Sequence, residues 1–219
     1  MIREEKIRIK VCGMRDAQNI RQVAGLVPDF MGFIFYGPSP RYVGDDFRLK
    51  EEVPAHIVRV GVFVNASNDE IKRQSAAVGF DHVQLHGNES VQQAAALKEA
   101  GFRVIKVFSI DDKFDFAATK EYSPVVDYFL FDTKGKLHGG NAQTFNWKVL
   151  QRYEQDVPFF LSGGISPENI HNIASVERMN LFALDVNSGV EESPGLKSLE
   201  KLKAVFDCVE RIRLNDLKS

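Results

Sequence analysis

Short apolar segments alternate with amphipathic segments along almost the whole chain, and this alternation restricts the possible folds more than any other feature. A strand buried on both faces is a short apolar run, whereas a helix packed on a sheet repeats apolar residues every three to four positions. We predict eight strands, at residues 7–12, 30–36, 58–64, 82–86, 104–108, 128–132, 158–162 and 182–187. We predict helices at 16–24, 68–77, 90–100, 146–153, 167–174 and 196–214.

Strands that alternate with helices form parallel sheets, and eight such units can close into a barrel. We therefore predict an α/β protein, a single (β/α)8 TIM barrel with short loops, forming one catalytic domain over residues 1–219. Two connections, 44–54 and 111–123, have poor helical periodicity. The structural alternative is an open doubly wound sheet, whose glycine-rich nucleotide fingerprint would follow the first strand. Residues 12–16 contain a single glycine there, which favours the barrel.

Composition excludes several functional classes. The net charge of -2 with mixed signs offers no basic stripe for nucleic acid. The N-terminus lacks the apolar core of a signal peptide and no apolar run is long enough to cross a bilayer, so we expect a cytoplasmic protein without membrane association. Cys12 and Cys208 lie far apart, and neither has a neighbour at metal or redox spacing. We expect neither a disulfide nor a metal site.

Alternation along the strands predicts which side chains enter the barrel. Helices cover the outer face, so the polar positions of a strand must point inward, towards the carboxyl-end mouth where functional sites of this fold lie. Buried charges need partners, and we predict that Lys10 pairs with Asp185 across the first and last strands. The polar side chains expected inside are Arg8, Lys10, Cys12, His82, Gln84, His86, Asp132 and Asp185.

Two glycine-bearing loops follow the last two predicted strands. Gly163 and Gly164 lie in the first loop, and Ser188 and Gly189 lie in the second. Backbone N–H groups in such loops bind anions, and this pair of positions is the usual phosphate site of a (β/α)8 barrel. The sequence therefore predicts a phosphorylated small molecule as the substrate.

Motifs spread over nearly the whole barrel carry a resemblance to a known family. The most specific are Lys10-Val11-Cys12-Gly13 at the start and Ser39-Pro40-Arg41 after the second strand. The others are Gly32-Phe33-Ile34-Phe35, Val60-Gly61-Val62-Phe63-Val64-Asn65, Val83-Gln84-Leu85-His86-Gly87, Phe131-Asp132, Gly139-Gly140, Thr144-Phe145-Asn146-Trp147, Leu161-Ser162-Gly163-Gly164-Ile165, Asp185-Val186-Asn187-Ser188-Gly189-Val190-Glu191 and Pro194-Gly195. In these residues the chain resembles the phosphoribosylanthranilate isomerases.

The resemblance implies an aldose–ketose isomerase of tryptophan biosynthesis that performs an Amadori rearrangement without a cofactor. It implies that Asp132 is the general acid and that Cys12, as a thiolate, is the general base, while Arg41 binds the substrate carboxylate. Inward cations such as Lys10 are expected to favour the thiolate. The alternative for Cys12 is a small buried apolar residue, and the alternative for Arg41 is a solvated loop arginine.

His86 and the segment 134–143 are two further candidates for substrate contact. His86 lies at the end of the fourth strand, where it could equally orient substrate or satisfy interior polar groups. The glycine-rich segment 134–143 is interpreted as a lid over the substrate, with Gly140 among the binding residues. The family's usual Gly-Gly-Thr-Gly is altered here, because Asn141 and Ala142 occupy the last two places.

Three other functions compete with this interpretation. Indoleglycerol-phosphate synthase, a lyase, would require a strand-end lysine acid and glutamates, but the second and third strands end in Tyr36 and Val64-Asn65. A dual tryptophan and histidine isomerase would carry acidic residues where Cys12 and Phe108 stand. A sugar-phosphate sensor would need only the phosphate loops. The assembly expected for the isomerase is a monomer or a homodimer.

Overall fold

The computed structural model describes residues 7–45, 47–48, 53–133, 147–176 and 179–216. Eight parallel strands pair in chain order and β8 returns to β1, which closes the predicted barrel. The strands are β1 (Arg8–Val11), β2 (Phe30–Ile34), β3 (Val58–Phe63), β4 (His82–Leu85), β5 (Arg103–Ile110), β6 (Tyr128–Thr133), β7 (Phe159–Ser162) and β8 (Leu181–Val186). Each predicted strand is present, with ends that differ by two residues at most.

Among the described residues, four α-helices cover the barrel: α1 (Ala17–Ala24), α2 (Asn68–Val78), α3 (Val91–Glu99) and α4 (Leu199–Asp216). The first three begin after a capping side chain, since Asp16, Ser67 and Ser90 each accept a hydrogen bond from the backbone N–H three residues on. Such caps satisfy N–H groups that the helix leaves unpaired. The sequence-based helix starts at 16 and 90 were therefore wrong by one residue, because these residues are caps.

Two crossings predicted as α-helices are shorter 3₁₀ helices, at Trp147–Arg152 and Ile170–Ser175. Their buried apolar pairs, Trp147 with Leu150 and Ile170 with Ile173, are three residues apart. This spacing matches the three residues per turn of a 3₁₀ helix, so a short segment can bury both side chains without an α-helical face. A third 3₁₀ helix, Phe116–Thr119, occupies the weakly periodic connection after β5, and no helix occurs in the described parts of 44–54.

The prediction of one helix over 196–214 was wrong at its start. Residues Glu191–Ser193 (β9) and Leu196–Lys197 (β10) form a hairpin, and α4 begins only at Leu199. Gly195 has φ +84°, the left-handed conformation that permits this turn. The backbone of Lys197 is also held extended by Asn19 of α1, which accepts from its N–H and donates to its carbonyl.

Side-chain alternation separates the core into two layers, as the sequence predicts. Apolar side chains inside the barrel pack around Phe30, Val60, Ile105, Leu130 and Phe160, and a larger layer lies between the sheet and its helices. Above the inner apolar layer lie buried polar side chains, including Lys10, Gln84 and Asp185. The interior is therefore polar near the mouth, where the strand ends carry the candidate site.

Across the part of the chain that the structure describes, none of the helices is both long and apolar enough to cross a membrane.

Candidate active site

Lys10 and Cys12 lie side by side at the end of β1. Lys10 is fully buried, and its Nζ donates to Asp185 Oδ1 at 2.9 Å and to Gln84 Oε1 at 2.8 Å. The predicted ion pair between β1 and β8 is confirmed, and these two residues are register partners. Burial alone would lower the pKa of Lys10, but the attraction of Asp185 and Cys12 outweighs it and raises the pKa above the ordinary value. A cation therefore lies beside the thiol.

The pocket around Cys12 depends on a missing side chain. A Cβ on Gly32 of β2 would lie 2.7 Å from Cys12 Sγ and 3.2 Å from Lys10 Nζ. Both distances are too short for any side chain to be added without movement of these groups. Gly32 therefore permits the close approach of thiol and ammonium.

Burial is the dominant influence on Cys12 and raises the pKa of its thiol, although Lys10 and Lys197 pull it down. The expectation that inward cations favour the thiolate is confirmed in direction, because Lys10 lowers the pKa of Cys12. The cations reduce the cost of ionisation, but desolvation of a residue only 3% exposed exceeds their effect. Burial thus favours the thiol form of Cys12, and the two lysines oppose it.

His86 and Asp132 face each other at the mouth. Their closest atoms, His86 Nε2 and Asp132 Oδ2, are 3.7 Å apart, and both side chains are about one third exposed at 36% and 32%. Gln84 Nε2 lies 3.1 Å from His86 Nδ1. His86 thus connects the buried polar interior with Asp132, and this access to solvent is what a group that meets substrate requires.

Arg41 lies in the turn after β2 and is paired within the protein. Its Nε lies 2.9 and 3.1 Å from the two carboxylate oxygens of Glu191, and its Nη2 lies 2.6 Å from Oε2. These hydrogen bonds raise the pKa of Arg41. Its Cδ would lie 2.7 Å from a Cβ on Gly13, so the arginine passes directly over the glycine that follows Cys12. The alternative of a freely solvated loop arginine is wrong.

Sequence reasoning missed the roles of Glu191 and Lys197 in this site. Lys197 Nζ donates to Glu191 Oε1 at 2.6 Å and to Asn187 Oδ1 at 2.7 Å, and the N–H of Gly195 also donates to Glu191. Burial raises the pKa of Glu191 less than Arg41 and Lys197 lower it, so the carboxylate is ionised. The only indication of a role for Glu191 in the sequence was its place in a family motif. Lys197 lay within the helix predicted over 196–214, and nothing there indicated a role in the site.

A second buried ion pair supports the loops beside His86. Lys106 Nζ donates to Glu89 Oε2 at 2.8 Å and to the Gly87 carbonyl at 2.7 Å, and Glu89 accepts from the N–H groups of Asn65 and Gly87. Both ion-pair side chains are at most 4% exposed. The pair therefore ties the loops after β3 and β4 to β5 at the mouth, and nothing in the sequence pattern indicated it.

The two glycine loops predicted to bind phosphate come together. A Cβ on Gly189 would lie 2.1 Å from the carbonyl oxygen of Ile165, so only glycine fits at this contact. Gly163 and Gly164 have φ of +109° and +67°. The Gly164 carbonyl accepts from Asn169 Nδ2, which closes the loop after β7, and Ser188 begins a short 3₁₀ helix after β8.

Gly140 and the predicted lid at 134–143 lie outside the described residues, so their predicted role stays a prediction. Among the residues that the structure does describe, no group of three or more His, Cys, Asp or Glu side chains could hold a metal ion. The chemistry of the site as described is that of a thiol, a carboxyl group, an imidazole and fixed cations.

A closed barrel with an acidic group, a thiol and paired glycine loops at one mouth defines the class: a (β/α)8 barrel suited to acid–base chemistry on a phosphorylated small molecule. The model of the N-(5'-phosphoribosyl)anthranilate isomerase family matches residues 9–208. The chain belongs to this family.

Individual relatives agree with this assignment. The N-(5'-phosphoribosyl)anthranilate isomerase of Parabacteroides distasonis is 43% identical over 198 residues, which cover 89% of this chain and 90% of the relative. The phosphoribosylanthranilate isomerase of Thermotoga maritima has a similar structure, with a TM-score of 0.77 and 30% identity over 94% of this chain and 99% of that one. Another solved isomerase, in complex with reduced 1-(o-carboxyphenylamino)-1-deoxyribulose 5-phosphate, gives a TM-score of 0.75 and 28% identity, with 94% and 99% coverage.

Proposed function

We propose that this protein is an aldose–ketose isomerase that converts N-(5-phosphoribosyl)anthranilate into 1-(2-carboxyphenylamino)-1-deoxyribulose 5-phosphate in tryptophan biosynthesis. Family membership supports the reaction, and the complex of a related isomerase with a reduced form of the product supports the substrate class. The observation that carries the proposal is the position of Cys12 and Asp132. Both lie at inward strand ends of one barrel, at the same mouth as the two glycine loops.

The reaction requires one acid and one base. Asp132 donates a proton to the ring oxygen of the furanose, the bond between that oxygen and the anomeric carbon breaks, and the nitrogen lone pair forms a protonated Schiff base. Cys12, as a thiolate, then removes the proton from the neighbouring carbon, and the resulting enolamine tautomerises to the ketone. The fixed positive charge of Lys10 stabilises the thiolate, which partly offsets its burial.

The substrate's two anionic ends provide its anchors. Arg41 binds the anthranilate carboxylate, sharing its guanidinium with Glu191, which holds it in one orientation. Gly163, Gly164, Ser188 and Gly189 bind the phosphate through backbone N–H groups. Gly140 stays a predicted substrate-binding residue of the proposed lid. His86 contacts the ring-opened sugar beside Asp132.

The decisive experiment adds the purified protein to freshly prepared phosphoribosylanthranilate and follows the anthranilate-type fluorescence. Its rapid loss is expected. A decay no faster than without protein would refute the isomerase and favour a non-catalytic sugar-phosphate sensor. Such a sensor would need the glycine loops but gives no reason to keep Cys12 and Asp132 together.

The remaining properties stay predictions that follow from this function. We expect no organic cofactor or metal, a single catalytic domain over residues 1–219, a cytoplasmic location, and a monomer or homodimer without nucleic acid or membrane partners. Sedimentation of the purified protein measures its assembly.

A further inference from the structure

A continuous row of polar side chains crosses the interior from β8 to β6. Asp185, Lys10, Gln84, His86 and Asp132 follow one another at 2.9, 2.8, 3.1 and 3.7 Å between their nearest polar atoms. Gln84, in the middle of the row, is 1% exposed. Its two amide atoms therefore have fixed partners rather than water.

The direction of hydrogen bonding along this row is determined at Lys10. An ammonium only donates, so the Gln84 atom that meets Lys10 must be the carbonyl oxygen. The other end of the amide, the NH2 group, then faces His86 Nδ1. An NH2 group also only donates, so Nδ1 must be an acceptor without a proton, because two donors facing each other at this distance would repel.

We propose that Gln84 is a positioning residue that fixes the tautomer of the His86 imidazole, leaving Nδ1 as the acceptor and directing the proton on Nε2 at Asp132. This inference deepens the function proposed above, and its mechanistic part rests on that function. The residue that determines the tautomer is separated from Asp132 by the imidazole itself, so Gln84 does not touch the reacting atoms.

The tautomer matters for the role of Asp132. A proton on Nε2 faces Asp132 Oδ2 at 3.7 Å and can stabilise the carboxylate once the carboxyl has given its own proton to the sugar ring oxygen. The opposite tautomer would present a lone pair. That lone pair would compete with the sugar oxygen for the proton of Asp132, and the first step would slow.

The tautomer can be measured without any substrate. The protein has five histidines, so the His86 imidazole signal in a ¹⁵N-labelled sample is assigned by its absence in His86→Asn. Long-range ¹H–¹⁵N correlation spectra at neutral pH should show Nε2 protonated and Nδ1 bare. A proton on Nδ1 in the wild-type protein would overturn the proposal.

Gln84→Glu tests whether Gln84 is the cause. A carboxylate accepts at both oxygens, so it still meets Lys10 but now demands a donor from the imidazole, and Nδ1 should become protonated. Gln92→Glu on the exposed face of α3 makes the same chemical change and should leave the His86 spectrum as in the wild type. If Nδ1 stays bare in a folded Gln84→Glu protein, Gln84 does not set the tautomer and the proposal fails. If that variant does not fold, the wild-type spectrum alone tests the proposal, and a proton on His86 Nδ1 there overturns it.

Kinetics then separates positioning from mere structural support. Gln84→Glu should lower kcat by about tenfold, less than the roughly 10²- to 10⁴-fold that a positioned acid or base itself contributes, with KM changed less than about threefold. A raised KM at unchanged kcat would contradict the role. If the wild-type protein has no isomerase activity, the proposed function fails, while the spectra still decide the tautomer.

Discussion

At the scale of single residues, burial and charge oppose each other at Cys12. The same desolvation that raises the pKa of the thiol raises the intrinsic basicity of its thiolate, so a small ionised fraction consists of a stronger base. Lys10 is held charged at its side and keeps this fraction from vanishing. The residue therefore combines the burial of an ordinary core cysteine with the surroundings of a reactive one.

The pH dependence should reveal this opposition. In Asp132→Asn, which leaves Cys12 as the titrating base, residual kcat/KM should rise with pH and level off above 9.0, the ordinary value for a thiol. The rise follows because only the deprotonated form is active and burial moves its pKa upward. The measurement is a kcat/KM profile in buffers of constant ionic strength. A plateau already reached at neutral pH would contradict the raised pKa.

Cys12→Ser and Asp132→Asn should each lower kcat by about 10²- to 10⁴-fold, the usual contribution of a positioned acid or base. Cys12→Ser keeps the shape but offers a hydroxyl that does not ionise in this range, so its alkaline inflection should disappear. Product binding, measured by titration calorimetry, should persist in both variants because the charged anchors are unchanged. Cys12→Ser with near wild-type turnover would assign the base to another residue, and His86 is the nearest candidate.

Arg41→Met should weaken substrate binding more than it slows the chemical step. Loss of a charge-assisted hydrogen bond of about 1.5–3 kcal/mol corresponds to roughly a ten- to hundredfold higher KM. Glu191 keeps Lys197 and the Gly195 N–H as partners, so the fold should survive. Arg48→Met removes an exposed arginine of the same loop and is the matched control. An unchanged KM in Arg41→Met would contradict the assignment.

At the scale of elements, turns determine which side chains meet. The hairpin β9–β10 returns the chain so that Lys197 can reach Glu191, and this requires the left-handed turn at Gly195. The loops after β7 and β8 approach so closely that Gly189 must lack a side chain. The proposed phosphate site and the orientation of Arg41 thus depend on backbone geometry more than on the identity of charged residues.

Gly164→Ala should weaken inhibition by inorganic phosphate by about five- to thirtyfold. Alanine disfavours the φ of +67° by about 1–2 kcal/mol, so the loop should move away from the conformation that presents its N–H groups. Gly101→Ala carries similar strain, at φ +93° after α3 and away from the mouth, and serves as the control for lost stability. Competitive inhibition constants for phosphate in the three proteins make the comparison. Equal losses of phosphate inhibition in Gly164→Ala and Gly101→Ala would mean that phosphate does not bind at the glycine loops.

The sequence predicted those contacts that periodicity determines. Alternation along β1 and β8, together with the closure of eight units, was enough to pair Lys10 with Asp185. It could not predict contacts that depend on a turn or on the exact path of a loop, such as Glu191 with Lys197 or Glu89 with Lys106. It also could not show that burial exceeds the effect of the cations at Cys12, because that balance depends on distances in three dimensions.

At the scale of the whole molecule, the barrel closes through a buried ion pair rather than through apolar contacts alone. Removal of one partner should cost about 3–5 kcal/mol of unfolding free energy, because the other charge is left buried without compensation. Lys10→Met and Asp185→Leu should each show this loss, whereas the double variant should lose much less than the sum. Urea unfolding with linear extrapolation measures all four proteins. Strict additivity would mean that the two charges do not interact.

The short pairing between β1 and β2 has a consequence for how the protein loses activity and aggregates during storage. Its two register pairs are Lys10–Phe30 and Val11–Met31, extended by hydrogen bonds from the Asp29 N–H to the Ile9 carbonyl and from the Met14 N–H to the Gly32 carbonyl, whereas β2 and β3 are paired over five positions. In the closed barrel every strand is hydrogen-bonded to a neighbour on each side. A transient separation of β1 from β2 would therefore expose unpaired backbone N–H and C=O groups along both strands. In a stored sample, loss of turnover and aggregation would then have the same origin. The strand whose edge is exposed, β1, carries Lys10, whose ammonium lies beside the proposed base Cys12.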